Sequence, residues 1–339
     1  MSRVVVVTGA SSGVGRAAAR AFGARGCSVG LIARNELALE NTAGEVEAAG
    51  GRALVLVADV ADDRAVEAAT ARAEAELGPI DVWVNVAMVA VLAPLSDTSA
   101  EDFRRVTEVT YLGFVHGTMS ALKRMRTRDR GVVVQVGSAL AYRSIPLQAS
   151  YCGAKAAIRG FTDSVRTELM HDGSKVHLTM VQLPGLNTPQ FGRVKTALRR
   201  HPQPVPPIFQ PELAADAVVW ASEHRRREVW VAGSTYLAIL GGLLAPALAD
   251  RYLARTNYDG QQSDLPIDPD RPHYLYQHLP GDPGAHGIFD DDARRKPSLG
   301  DQPPPPHCGA GRRRRGGSRD RRIQGATPQL RPGAPEVAA

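Results

Sequence analysis

The stretch that most restricts the fold lies at the start of the chain. Val4 to Val7 is a short β-branched run, Thr8-Gly9-Ala10-Ser11-Ser12-Gly13-Val14-Gly15 follows it at once, and an alanine-rich segment from Arg16 to Arg25 comes next. A β-branched run closed by Gly and Ser predicts a buried strand, and the alanines predict a helix. A glycine loop between a strand and a helix N-terminus is where backbone can approach a pyrophosphate, held by free amide groups and the helix dipole. Gly9, Ser11, Ser12, Gly13, Val14 and Gly15 are therefore candidate dinucleotide contacts. The apolar run is too short for the core of a signal peptide.

The same alternation continues. A strand over Ser28 to Ala33 ends in Arg34-Asn35, and a helix over Leu37 to Ala49 leads through Gly50-Gly51 to a strand over Ala53 to Val57. Asp59-Val60 follows, then a helix over Asp63 to Leu77 stopped by Gly78-Pro79. A strand over Asp81 to Val84 delivers Asn85-Val86-Ala87-Met88. A long helix around Asp102 to Met125, a strand ending at Ser138, a helix to about His171 and a strand over Val176 to Val181 complete the pattern, with a helix over Pro211 to Glu223 and a last strand from Val229. Strands alternating with helices predict a parallel, doubly wound α/β sheet with right-handed crossovers. Arg34 ends the second strand, where an acidic residue would hold a ribose 2′-hydroxyl and an Arg accommodates a 2′-phosphate. It favours NADP(H) over NAD(H), and Glu36, two residues on, is the rival contact.

Tyr151 and Lys155 stand at i and i+4, on one helix face. A phenol is a poor acid or base at neutral pH, and an ammonium one turn away favours the phenolate. Ser138 closes its strand, so its hydroxyl points into the crevice at the carboxyl ends of the strands. Together the three could share one carbonyl or carbinol oxygen. Alone, a Tyr-x-x-x-Lys spacing is common by chance; the elements around it give it weight.

Taken in order, Thr8 to Gly15, Asp59, Asn85, Ser138, Tyr151, Lys155 and Pro184-Gly185 resemble the short-chain dehydrogenase/reductase family, over about residues 3 to 235. The resemblance implies a single Rossmann-type domain and hydride transfer between NAD(P)(H) and a carbonyl or alcohol. It makes Tyr151 the general acid/base, Lys155 the group that lowers the Tyr pKa and holds the nicotinamide ribose, and Ser138 the residue that positions the substrate oxygen. It places Thr188 at the nicotinamide carboxamide and Asp59 and Val60 at the adenine, and it counts Asn85, Tyr151, Pro184 and Gly185 among the cofactor contacts. Two positions depart from the pattern: Met88 stands where the family has Gly, and Thr110 where it has a catalytic Asn. Those departures motivate a rival reading, a catalytically weak NADP(H)-binding sensor.

Leu186 to Pro211 is rich in proline and carries Arg193, Lys195, Arg199 and Arg200, and it is expected to cover the substrate. Val229 to Ala249 holds no charged residue. The strand at its start, with Gly233, Gly241, Gly242 and Pro246, argues for a core strand and an apolar helix packed on a partner subunit or lid; membrane contact is possible but not favoured. The domain is assigned to residues 1–255. Residues 256–339, rich in Pro, Gly and Arg, read as a disordered tail, so removing residues 260 to 339 is expected to leave an active enzyme. From His307 onward eight arginines face two acidic residues, which accounts for the whole formal charge of +6. The body therefore offers no general attraction for nucleic acid. Cys27, Cys152 and Cys308 are scattered, and neither Cys nor His forms a metal-binding spacing, which suits a reducing, cytoplasmic setting. A homo-oligomer, dimer or tetramer, acting on a small carbonyl or alcohol is the expectation.

Overall fold

In the computed structural model, which describes residues 2–268 and 270–295, the strands in chain order are β1 (Val4–Thr8), β2 (Ser28–Ala33), β3 (Arg52–Val57), β4 (Val82–Asn85), β5 (Val91–Leu92), β6 (Val132–Val136), β7 (His177–Gln182), β8 (Lys195–Thr196), β9 (Arg200–Pro202), β10 (Glu228–Trp230) and β11 (Gln262–Pro266). Seven form one parallel sheet in the order β10-β7-β6-β4-β1-β2-β3. The helices are α1 (Gly13–Gly23), α2 (Glu36–Ala48), α3 (Asp63–Leu77), α4 (Ala100–Val106), α5 (Gly113–Met125), α6 (Ala149–His171), α7 (Gln190–Arg193), α8 (Pro211–Glu223), α9 (Gly233–Leu244) and α10 (Pro246–Thr256).

β1 shows why the sheet is doubly wound. All five of its residues are buried, as a strand covered on both faces requires. Val5 and Val7 pack with α1, α2 and α8, while Val4 and Val6 pack with α3 and α5. From β1 the chain winds outward through β2 and β3, then returns to β4 and winds the other way. Strand order thus reverses between β1 and β4, and the crevice at a switch point is where open α/β sheets bind ligands.

Two expectations change. The long helix predicted around Asp102 to Met125 is interrupted by a π-helical stretch, Thr107–Leu112. Inside it, the fully buried Thr110 hydroxyl donates to the Val89 carbonyl (2.7 Å) and accepts from the Val89 amide (3.0 Å). Its hydroxyl is thereby committed to holding the segment after β4. The second change is the tail boundary. Residues 257–268 and 270–295 pack on the body as a strap, with Leu275, Ala285 and Phe289 buried. Composition misplaced this boundary because it weighs only a segment's own apolar surface, whereas the strap is held by donors on the body. The rest of the proposed tail, from residue 296, lies outside the described residues.

Candidate active site

The crevice is shaped first by glycine. Gly9 has φ +70, and a Cβ there would stand 2.7 Å from Ala87 Cα; one on Gly15 would stand 2.2 Å from the Gly9 carbonyl oxygen. Neither position admits a side chain. Thr8 completes the turn from inside, its hydroxyl accepting from the amides of Val86 (3.0 Å) and Ala87 (3.3 Å). Nothing in the sequence singled Thr8 out for this, because its partners lie just past the end of β4, far along the chain.

Along the carboxyl ends of the strands runs a cavity of about 850 Å³. Gly9, Ser11, Ser12, Gly13, Val14, Gly15, Arg34, Asp59 and Val60 line it on the β1–β3 side, and Ser138, Tyr151, Lys155, Pro184, Gly185 and Thr188 line it on the β6–β7 side. One predicted contact is absent. Asn85 turns into the core, fully buried, where Nδ2 donates to Gln135 Oε1 (2.9 Å) and Thr118 Oγ1 (3.1 Å) and Oδ1 accepts from the Trp83 indole (2.8 Å). With its amide satisfied there, Asn85 braces the sheet and does not touch the cavity. Its neighbours Val86, Ala87 and Met88 are lining residues, and Met88 packs near Tyr151 and Tyr274.

At the β6–β7 side, Ser138 follows β6 and Tyr151 and Lys155 sit one turn apart on α6, as their spacing requires. Lys155 Nζ donates to the Val136 carbonyl (2.8 Å) and lies 4.7 Å from the Phe114 ring centroid and 5.6 Å from that of Tyr151. Burial pushes the Lys155 ammonium down to about 7. Burial also pushes the Tyr151 phenol well above its ordinary value, against a hydrogen bond with Ser138 that favours ionisation. Both shifts favour neutral forms, the reverse of the phenolate and ammonium expected from spacing alone. At the opposite side, burial lowers the Arg34 pKa without removing its charge, and the Ala61 amide, Arg105 and Arg34 hold Asp59 below its ordinary value despite burial. Three of the four cations of the proline-rich loop have partners: Lys195 pairs with the buried Asp102 and Arg200 with Asp259, away from the cavity, while Arg193 lines the cavity and donates to the Leu279 carbonyl.

The strap is the part of the site that sequence reasoning missed. Its carbonyls accept from the body: Tyr274 and Tyr276 from Arg34 (2.7 and 2.9 Å), Leu279 and Gly281 from Asn35 (3.1 and 3.0 Å), and Gly284 from the Gly13 amide (3.1 Å). Asp282 pairs with Arg16, and His286 sits between Glu212 and Asp290, whose charges hold its imidazole above the ordinary range although burial opposes them. Gln261, fully buried, accepts from Gln148 beside the start of α6. Tyr274, His278 and Leu279 line the cavity, and α9 and α10 close it from the other direction with Leu237, Leu248 and Tyr252.

A family model for short chain dehydrogenases matches residues 3–198. The chain belongs to the short-chain dehydrogenase family. It is 32% identical over 276 residues to YxnA, an uncharacterized oxidoreductase of Bacillus subtilis, spanning 81% of this chain and 78% of that protein. A short chain dehydrogenase of Pseudocercospora fijiensis is 37% identical over 206 residues, 59% of this chain and 65% of the other. The crystal structure of a metagenomic short-chain oxidoreductase in complex with NADP superposes with a TM-score of 0.57 at 27% identity, covering 68% of this chain and 96% of that one. The family match ends before α8, so the helices and strap that roof this oxidoreductase's cavity lie outside it.

Proposed function

We propose that this short-chain dehydrogenase transfers hydride between NADP(H) and the carbonyl or alcohol group of a small to medium apolar substrate. The observation that carries the reading is that Ser138, Tyr151 and Lys155 converge in the same cavity as the glycine loop. A nicotinamide dinucleotide fits the residues present: the side-chain-free approach at Gly9 and Gly15 suits a pyrophosphate, and Ser11, Arg34, Asp59 and Val60 would hold the adenosine end. Pro184, Gly185, Thr188 and Lys155 would hold the other. The NADP-bound structural relative supports the phosphorylated form; Arg34 lines the cavity and would meet a 2′-phosphate by exchanging it for the Tyr274 or Tyr276 carbonyl that its guanidinium now holds.

When bound, the nicotinamide supplies or accepts the hydride. The proton is handled by the chain. Ser138 holds the substrate oxygen, and Tyr151 delivers a proton to it as the carbonyl becomes an alcohol, or removes one in reverse. A buried phenol stays protonated at neutral pH, which is the form reduction needs. Lys155, with a pKa of about 7, can give up and regain a proton at working pH, and it is the group that restores Tyr151 after turnover.

The test is a panel of apolar carbonyls with NADPH and of alcohols with NADP+, run with wild type and Tyr151→Phe. Loss of general acid–base catalysis should lower kcat by roughly 10²–10⁴-fold while NADPH still binds. A Tyr151→Phe enzyme with most of its kcat refutes the acid/base role. NADPH binding without turnover on any substrate favours a sensor.

A further inference from the structure

The hairpin of α9 and α10 exposes a cluster of large apolar side chains. Leu237 and Leu244 are 77% and 83% exposed, and Leu240, Leu243, Leu248 and Tyr252 are exposed with them. Leu237, Leu240 and Leu244 recur at helical spacing on one face of α9, whose other face is fixed by the buried Thr235 and Ile239. On α10, Leu248 and Tyr252 share a face with the exposed Arg251 and Arg255. The acidic residue beside them, Asp250, is already paired with Arg143. The face is thus a leucine surface bordered by cations that have no acidic partner among the described residues, on long stems that can keep their heads in water beside an apolar phase. Among the described residues no helix is long and apolar enough to cross a membrane.

We infer that this face docks on an anionic membrane surface, with α9 and α10 lying in the interface plane. Two observations select a lipid surface over a second copy of the chain. Leu237, Leu248 and Tyr252 are exposed and also line the catalytic cavity, so a protein seated on this face would plug the cavity mouth. A fluid apolar phase would leave it open to apolar solutes. The charge is also of the right sign, since Arg251 and Arg255 and the chain's eight C-terminal arginines all favour anionic headgroups. The orientation further implies a substrate dissolved in the lipid. That implication and the argument from the open cavity mouth rest on the oxidoreductase reading, whereas the exposed leucines and the charge of the face do not.

The test is co-sedimentation of the full-length protein with vesicles of phosphatidylcholine alone and of phosphatidylcholine with phosphatidylserine, so the result is independent of turnover. Wild type should bind the phosphatidylserine vesicles more tightly than the neutral ones. Leu243→Glu with Leu244→Glu should weaken binding about tenfold or more. Those two side chains lie outside the cavity lining, so NADPH binding should be unchanged and reports that the variant is folded. Arg251→Glu with Arg255→Glu should reduce the preference for phosphatidylserine. Light scattering on wild type and the leucine variant runs in parallel. Wild type left in the supernatant with both vesicle types would overturn the inference, as would binding indifferent to the leucine variant. An oligomer that the leucine variant splits into monomers would assign the face to a second copy instead.

Discussion

Replacing Lys155 by Met should show what the site spends in stability on a buried amine. The side chain is 3% exposed, and burial lowers its pKa from 10.5 to about 7. In the unfolded chain the amine stays charged up to its ordinary pKa. Because the folded pKa is the lower one, the penalty for burying the charge is complete below pH 7, shrinks as pH rises, and is gone above about 10.5. Integrating between those values, the penalty falls by about 2.5 kcal/mol from pH 6 to pH 9. Methionine keeps the unbranched length and cannot charge. Its pH-independent losses, such as the bond to the Val136 carbonyl, cancel when the two pH values are compared. Urea unfolding of both proteins should therefore find Lys155→Met more favoured, relative to wild type, by about 2.5 kcal/mol at pH 6 than at pH 9. Turnover should be lost at both. A difference between the proteins that does not change with pH would refute the depressed pKa, and with it the proton-returning role.

Other perturbations separate the remaining parts. A chain ending at residue 259 loses the strap, and its Kd for NADPH should rise about tenfold or more, together with a lower Tm, whereas one ending at 295 should retain both; equal titrations of the two truncations would show that the strap does not serve binding. NADPH should be preferred over NADH by roughly ten- to a hundredfold, and Arg34→Asp should invert the order, since a charge-assisted contact is worth about 1.5–3 kcal/mol; equal dissociation constants in the wild type would remove Arg34 from the 2′-phosphate. Thr110→Val strands both the amide and the carbonyl of Val89 and should cost about 1–3 kcal/mol in urea unfolding. Unchanged stability would mean that water replaces the hydroxyl.

Much of the site was legible because its signals are local. Strand, glycine loop and helix fall within residues 4–25, and the i, i+4 spacing of Tyr151 and Lys155 survives any detail of packing. Asn85 was misread for the opposite reason. Whether a side chain at a strand end turns to the crevice or the core depends on Trp83, Gln135 and Thr118, and the last two come from distant parts of the chain. The Tyr151 and Lys155 protonation states were hidden in the same way, since spacing reports a neighbour but not how much water surrounds it. The strap has turn chemistry, as in the Pro-Gly-Asp-Pro-Gly run at residues 280–284, but no apolar periodicity to announce that it folds.

That last property follows from how the strap is gripped. Tyr274, Tyr276, Leu279, Gly281 and Gly284 all present backbone carbonyls to donors on the body, including Arg34, Asn35 and the Gly13 amide. Every residue type carries that acceptor. Mutation of a strap side chain outside the buried Leu275, Ala285 and Phe289 and the charged Asp282 and His286 therefore leaves these contacts in place, while a single change at Arg34 or Asn35 releases two at once. The cavity-facing side chains Tyr274 and Leu279 can therefore be exchanged to reshape the pocket while their carbonyls keep the strap in place.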